Sequence, residues 1–185
     1  MQAPTTLAGR TAIVLTVSDR CSAGTQVDLS GPALARLLTE AGAQLLDTVI
    51  VPDEPALLIS ALHAAATHAA LILTTGGTGL APRDITPEAT LSVCDRLVPG
   101  LAELIRQDGA RRTPYAALGR GICGVAGGIP GATGGALILN LPGNPRGAES
   151  SLRAVLPLLS HALDLLAGNT EHSGPDVPQS AQTVE

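Results

Sequence analysis

The chain has 185 residues, 45% of them hydrophobic, and a formal net charge of −5. That length and hydrophobicity suit one folded domain, and the negative charge with a single aromatic residue, Tyr115, argues against nucleic-acid binding. No apolar run reaches the ~20 residues of a membrane span, and the N-terminal MQAPTTLAGR lacks the pattern of a signal peptide, so a cytoplasmic protein is expected.

Residues 1–9 read as a flexible N-terminus. TAIVLTVSD (11–19) has the pattern of a buried strand that leaves into a polar turn. Residues 20–31 are small and polar and read as a loop. Pro32 then suits a first helical turn, with Leu34, Leu37, Leu38 and Ala41 on one face and Gly42 as a stop. LLDTVIV (45–51) is a second strand. Asp53 stands where it could cap a helix that starts at Glu54-Pro55 and continues through an alanine-rich stretch. LILTT (71–75) is a third strand, followed by the loop GGTGLAPRDI.

Thr86-Pro87-Glu88 has the order of an N-cap, a first-turn proline and an acidic first turn. Helical patterns run through 87–97 and 100–108. The stretch 124–135, GVAGGIPGATGG, suggests a glycine-rich, hairpin-like insertion. ALILNL (136–141) is a further strand, and an amphipathic helix covers roughly 147–167. The tail 168–185 is polar and proline-containing, with the composition of disorder. Residues 10–167 are therefore expected to form one domain.

Strands that alternate with helices predict an α/β fold, a mostly parallel sheet covered on both faces. Ligands of such sheets bind beyond the carboxyl ends of the strands. Four segments should meet on that rim: Ser18-Asp19-Arg20, Pro52-Asp53-Glu54, Thr75 to Asp84, and Pro142 to Pro145. TTGGTG is neither a Walker motif nor GxGxxG, and the chain contains no lysine. Its glycines can still bring backbone N–H groups close to an anion, and Thr75 and Thr78 add hydroxyls. With PGNP on the same rim, the pattern resembles a nucleotide clamp, although a strand-to-helix turn alone would use the same glycines.

Asp53 and Asp84 are suited to Mg²⁺, which takes one or two carboxylates and bridges to phosphates. Each also has a local alternative: Asp53 as a helix cap, Asp84 as a turn residue paired with Arg83. Asp19 and Asp28 are further acidic candidates. Arg20, Arg83 and Arg120 can neutralise phosphate. Cys21, Cys94 and Cys123 form no CxxC and read as small buried hydrophobes. His63 and His68, five apart on a helix, point to different faces and make no metal pair.

In order along the chain stand SDR (18–20), VPDE (51–54), TTGGTG…PRDITPEAT (74–90), PG (99–100) and NLPGNP (140–145). This series resembles the molybdopterin adenylyltransferases of molybdenum-cofactor synthesis. They are the MogA/MoaB-like family, which includes the G domains of gephyrin and the plant cofactor enzyme. The resemblance covers about residues 10 to 167. It implies a three-layer, molybdopterin-binding-like α/β domain with a mixed, mainly parallel sheet, and a homotrimer.

It also implies transfer of AMP from Mg-ATP to the terminal phosphate of molybdopterin, with ATP as co-substrate and the product passed to a metal-insertion enzyme. The two aspartates essential in the family fall on Asp53 and Asp84, which would also hold the metal. Thr75, Gly76, Gly77, Thr78 and Gly79, with Asn140, Gly143, Asn144 and Pro145, would contact nucleotide. Ser18, Asp19, Arg20, Gly119 and Arg120 would contact the other substrate. The family commonly has LSR where this chain has Leu118-Gly119-Arg120, and a serine near Gly109. Both hydroxyls are missing here, with Thr113 as a possible substitute. Some MoaB-like members lack the aspartate of PDE and are thought not to adenylate; Asp53 favours the enzyme over a non-catalytic pterin carrier.

Overall fold

A computed structural model describes residues 7–127 and 134–169. Half of the glycine-rich insertion, residues 128–133, and almost all of the expected tail lie outside these residues, as do residues 1–6. The chain forms β1 (Thr11–Val17), the single-turn α1 (Asp19–Ser22), α2 (Ser30–Glu40), β2 (Gln44–Val51), α3 (Pro55–Ala66) and β3 (Leu71–Thr75). It continues through α4 (Thr86–Val93), β4 (Arg96–Leu97), α5 (Pro99–Ala110), a 3₁₀ turn (Pro114–Leu118), β5 (Cys123–Ala126), β6 (Ala136–Leu141) and α6 (Pro145–Leu166).

The six strands lie in the order β2-β1-β3-β6-β5-β4. The first four are parallel, and β5 runs antiparallel to both β6 and β4. The sheet is therefore mixed, mainly parallel and flanked by helices, as expected. Strands β1, β3 and β6 are apolar almost throughout because helices cover both of their faces. Ala12 and Val14 of β1, Leu71 and Leu73 of β3, and Leu137 and Leu139 of β6 pack with α2, α5 and α6. Ile13 and Leu15, Ile72 and Ile138 point the other way and pack with α3 and α4. The period of two in these strands thus builds two cores from one sheet. Burying each such leucine or isoleucine contributes about 1.5–3 kcal/mol.

Several boundaries differ from the sequence reading. Helix α2 starts at Ser30, before Pro32, because Asp28 accepts hydrogen bonds from the Ser30 and Gly31 amides at 3.0 Å each. The helical pattern at 87–97 ends at Val93; Asp95 N–H then bonds the Val125 carbonyl and the chain joins the sheet as β4. Only two residues of β4 pair, too few for a periodicity signal. Thr86 does not cap α4: its hydroxyl donates to the Gly76 carbonyl at 2.9 Å. Asp53 does not cap α3, whose N-cap position is Glu54 without a side-chain bond.

Asn140 holds the middle of the sheet. Its Nδ2 donates to Thr74 Oγ1 at 3.0 Å and Thr90 Oγ1 at 2.9 Å, and its Oδ1 accepts from Ile122 N at 3.2 Å. One buried amide thus joins β3, β6, α4 and the approach to β5. Removing it would leave buried hydroxyls and an amide without partners. Asn140→Ala is therefore expected to cost about 2–4 kcal/mol of stability. Chemical denaturation against the wild type measures that loss.

Candidate functional site

β1 is followed by α2 and β2 on one side, whereas β3 lies on the other side of β1. Loops that leave the ends of β1 and β3 therefore diverge, which opens a crevice at the topological switch point. A cleft of ≈ 580 Å³ occupies this place. It is lined by residues 16–21 at and beyond the end of β1, by Asp53 after β2, by Thr75 at the end of β3 with Gly76, Gly77 and Asp84 beyond it, and by Gly143, Asn144 and Pro145 after β6. The loop residues Gln26 to Ser30 complete the wall. All four rim segments expected to converge contribute to one cleft.

The glycines at its floor are required by contact. Gly76 has φ +102°, and a Cβ there would lie 2.2 Å from the Val17 carbonyl oxygen. Gly77 has φ +61°, and a Cβ there would lie 2.4 Å from Thr86 Oγ1 and 3.1 Å from Asp53 Oδ1. The β3 exit can therefore run close beneath the β1 exit and beside the Asp53 carboxylate only with bare backbone. Thr86 closes this loop through its hydroxyl bond to Gly76 and its amide bond to the Gly77 carbonyl at 3.0 Å. Gly143 stacks on the same place: its Cβ would meet Gly76 Cα at 3.1 Å. Thr75 is buried, and its hydroxyl donates to the Pro142 carbonyl at 2.7 Å, tying the β3 loop to the β6 loop.

The N-terminus of α6 enters the cleft with Asn144 as its N-cap; Asn144 Oδ1 accepts from Gly147 N at 3.1 Å. Helix N-termini carry unsatisfied amides and a partial positive charge, which favour a phosphate.

Asp19 and Asp53 bond each other's backbone. Asp19 N donates to Asp53 Oδ2 at 2.9 Å, and Asp53 N donates to Asp19 Oδ1 at 3.0 Å. Burial pushes the Asp53 carboxyl above the usual carboxylate range; the backbone bond with Asp19 opposes this, and the Asp19 and Asp84 charges add to it. The Arg83 guanidinium hydrogen-bonded to Asp19 holds that carboxyl below its usual range. Asp84 has a turn role as well, because its Oδ2 accepts from Ala81 N at 2.8 Å. Arg83 does not pair with Asp84 but with Asp19.

Among the described residues, no group of three or more His, Cys, Asp or Glu is set to hold a metal. Asp53 and Asp84 face the same cleft, and their mutual repulsion is what a divalent cation would relieve. This donor set fits Mg²⁺, provided that water and substrate phosphates fill the other positions.

Other predicted site residues stand elsewhere. Asn140, expected in the nucleotide pocket, is not among the residues that line the cleft, and its side-chain polar atoms are engaged in the bracket described above. Thr78, Gly79, Gly119 and Arg120 also lie outside the lining. Arg120 holds the β3 loop from behind: Nε donates to the Gly79 carbonyl and Nη2 to the Asp84 carbonyl, each at 2.6 Å. Its Nη1 pairs with Glu88. Thr113 caps the 3₁₀ turn by accepting from Tyr115 N.

Ser18 Oγ accepts from Cys21 N at 3.2 Å, whereas Arg20 stands exposed on the cleft wall. Asp28, the weaker acidic candidate, is engaged by Thr16 and the start of α2. The wall residues Gln26, Val27 and Leu29 were not anticipated, since a polar loop gives no periodic signal. The three cysteines are free.

Residues 13–161 match the family model described as a probable molybdopterin binding domain. A molybdenum cofactor biosynthesis bifunctional protein of Synechococcus elongatus is 44% identical over 90% of this chain and 50% of its own length. The chain spans 25% of the molybdenum cofactor synthesis protein cinnamon of Drosophila melanogaster, so it covers half or less of these two longer relatives. A molybdopterin adenylyltransferase of Helicobacter pylori is 40% identical over 84% of this chain and 87% of its own length. The crystal structure of the molybdopterin biosynthesis enzyme MoaB of a Thermus species superposes with a TM-score of 0.78. It has 48% identity and covers 86% of this chain and 97% of the other. The glycine loop, the two aspartates and the switch-point cleft are thus set in a shared fold, and the chain belongs to the family of that molybdopterin-binding domain.

Proposed function

We propose that this protein is a molybdopterin adenylyltransferase that acts in molybdenum-cofactor biosynthesis. The observation that carries this reading is the convergence of Asp53 and Asp84 on one cleft with the Gly76-Gly77 floor and the α6 N-terminus. The names of relatives similar over most of both chains support it. A terminal phosphate oxygen of molybdopterin attacks the α-phosphorus of ATP. A new P–O bond forms as the bond to the β-phosphate breaks, and pyrophosphate leaves. The nucleophile is already anionic near neutral pH, so the reaction needs alignment and charge neutralisation more than a strong base.

The residues divide this work. Bare backbone at Gly76 and Gly77 lets the triphosphate lie close to the strand ends, with Thr75 fixing that loop to Pro142. The amides at the start of α6, with Gly143, Asn144 and Pro145, would face its charge. Asp53 and Asp84 would hold Mg²⁺, which supplies neutralisation of phosphate charge when bound. Arg20, exposed on the wall with no ion pair among the described residues, is available to the pterin phosphate together with Ser18. Gly119 is left as a more distant candidate for the pterin end. Assembly as a homotrimer, transfer of the adenylated product to a metal-insertion enzyme and a cytoplasmic setting belong to the same proposal. Three free cysteines suit a reducing compartment. Among the described residues, no helix is long and apolar enough to cross a membrane.

Incubation with molybdopterin, ATP and Mg²⁺ should yield adenylated pterin and pyrophosphate. Binding of the pterin without pyrophosphate release would favour a non-catalytic carrier instead. Asp53→Asn and Asp84→Asn should each lower the rate by about 100- to 1,000-fold while pterin binding persists, because each removes charge needed in the transition state. Full activity in either variant removes that residue from the metal site. Gly76→Ala should lose nucleotide binding, read by calorimetric titration with ATP, since its Cβ collides with the Val17 carbonyl. Wild-type affinity there would sink the role of this loop.

A further inference from the structure

Arg83 and Asp19 were both candidates for direct substrate contact, yet their polar atoms face each other. Arg83 Nε donates to Asp19 Oδ2 at 2.5 Å, and Nη2 donates to Asp19 Oδ1 at 2.9 Å. The same Nη2 reaches the Asp53 carbonyl at 3.1 Å. Asp19 in turn accepts the Asp53 amide and gives its own amide to Asp53 Oδ2. Asp53 is therefore held at three points: its carbonyl by Arg83, its amide by the Asp19 carboxylate, and one carboxylate oxygen by the Asp19 amide. Its other oxygen, Oδ1, lies on the Gly77 side.

We propose that Arg83 and Asp19 act as a positioning clamp that sets the Asp53 carboxylate relative to Asp84, and that neither serves as a phosphate ligand. This rests on the adenylyl-transfer reading of the cleft. Arg83 directly precedes Asp84 on the β3–α4 loop, whereas Asp53 follows β2. One guanidinium thus ties together the two loops that carry the candidate metal carboxylates. Arg120 secures the Asp84 side independently, through the Asp84 and Gly79 carbonyls. The Arg83 and Asp19 side chains are 61% and 40% exposed. A pair that exposed contributes little to stability, so its two-pronged geometry is better explained by placement of Asp53. Small misplacements near a reacting phosphate cost rate steeply.

The test compares Arg83→Gln, Asp19→Ala, the double variant and Arg83→Lys with the wild type in the pyrophosphate-release assay. Each single variant should lower kcat by about 10- to 100-fold with KM for ATP nearly unchanged. The double variant should fall no further than the weaker single, because both act through one contact. Arg83→Lys keeps the charge without the fork and should recover only part of the rate.

A raised KM with retained kcat in Arg83→Gln would make Arg83 a phosphate ligand and overturn the clamp. Retained kcat in Asp19→Ala, or multiplied losses in the double variant, would overturn it as well. Amide hydrogen exchange in the free protein reads the clamp without activity: the Asp19 and Asp53 amides should exchange faster in Arg83→Gln. Unchanged exchange rejects the clamp. A wild type that releases no pyrophosphate rejects the transfer reading, and exchange alone then decides whether the clamp exists.

Discussion

The site depends on the way β1 and β3 lie side by side while the chain passes to opposite sides of β1. β2 pairs with one edge of β1 and β3 with the other. Connections to parallel neighbours on opposite sides need crossover helices on opposite faces if both keep one hand. Helices α2 and α3 meet that need: Leu34, Leu37 and Leu38 of α2 belong to one core, and Leu58 and Leu62 of α3 to the other. The crevice between the diverging loops follows from this arrangement before any side chain is chosen.

That geometry also dictates which residues can occupy the floor. The β3 exit passes so close to the Val17 carbonyl that a Cβ at Gly76 has no room. The crossing is then stabilised by polar contacts around the glycines. Thr75 holds Pro142, Thr86 holds Gly76, and Arg120 holds Gly79 and the Asp84 backbone. A loop rich in glycine is thereby given one shape. Flexibility in the isolated peptide and order in the fold are compatible because Pro142 and Arg120 tether the loop from distant parts of the chain, while Thr86 closes its far end.

Much of the fold could be read locally. The unbroken apolar runs of β1, β3 and β6 gave buried parallel strands, and the periodic leucines of α2 gave its buried face. The pieces that escaped were those without a period: the two residues of β4, the four of β5 and the single turn of α1. Among the site residues, Asp53 shows how local rules mislead. Its position before Glu54-Pro55 favours a helix cap, but the Asp19 amide at the start of α1, 34 residues earlier, takes its carboxylate instead. Asn140 shows the converse, since a polar residue beside a glycine turn reads as ligand-facing, whereas its side chain is buried and bonded to Thr74 and Thr90.

The sequence by itself determined the alternation of strands and helices, the convergence of four polar segments on one rim, and the motifs that mark the family. These depend on near neighbours and on periodicity, which a linear chain displays directly. Only the tertiary structure decided which polar atoms remain available. Thr86, Asn140 and Arg120 turn inward to tether the scaffold, and Asp19 lines the cleft but is engaged by Arg83, while Asp53 and Asp84 line the cleft with one carboxylate oxygen of each bonded to a backbone amide. Apart from the Thr86–Gly76 bond, which spans ten residues, these partners lie more than 30 residues apart and leave no local pattern, so the division between ligand and tether appears only when the strands are side by side.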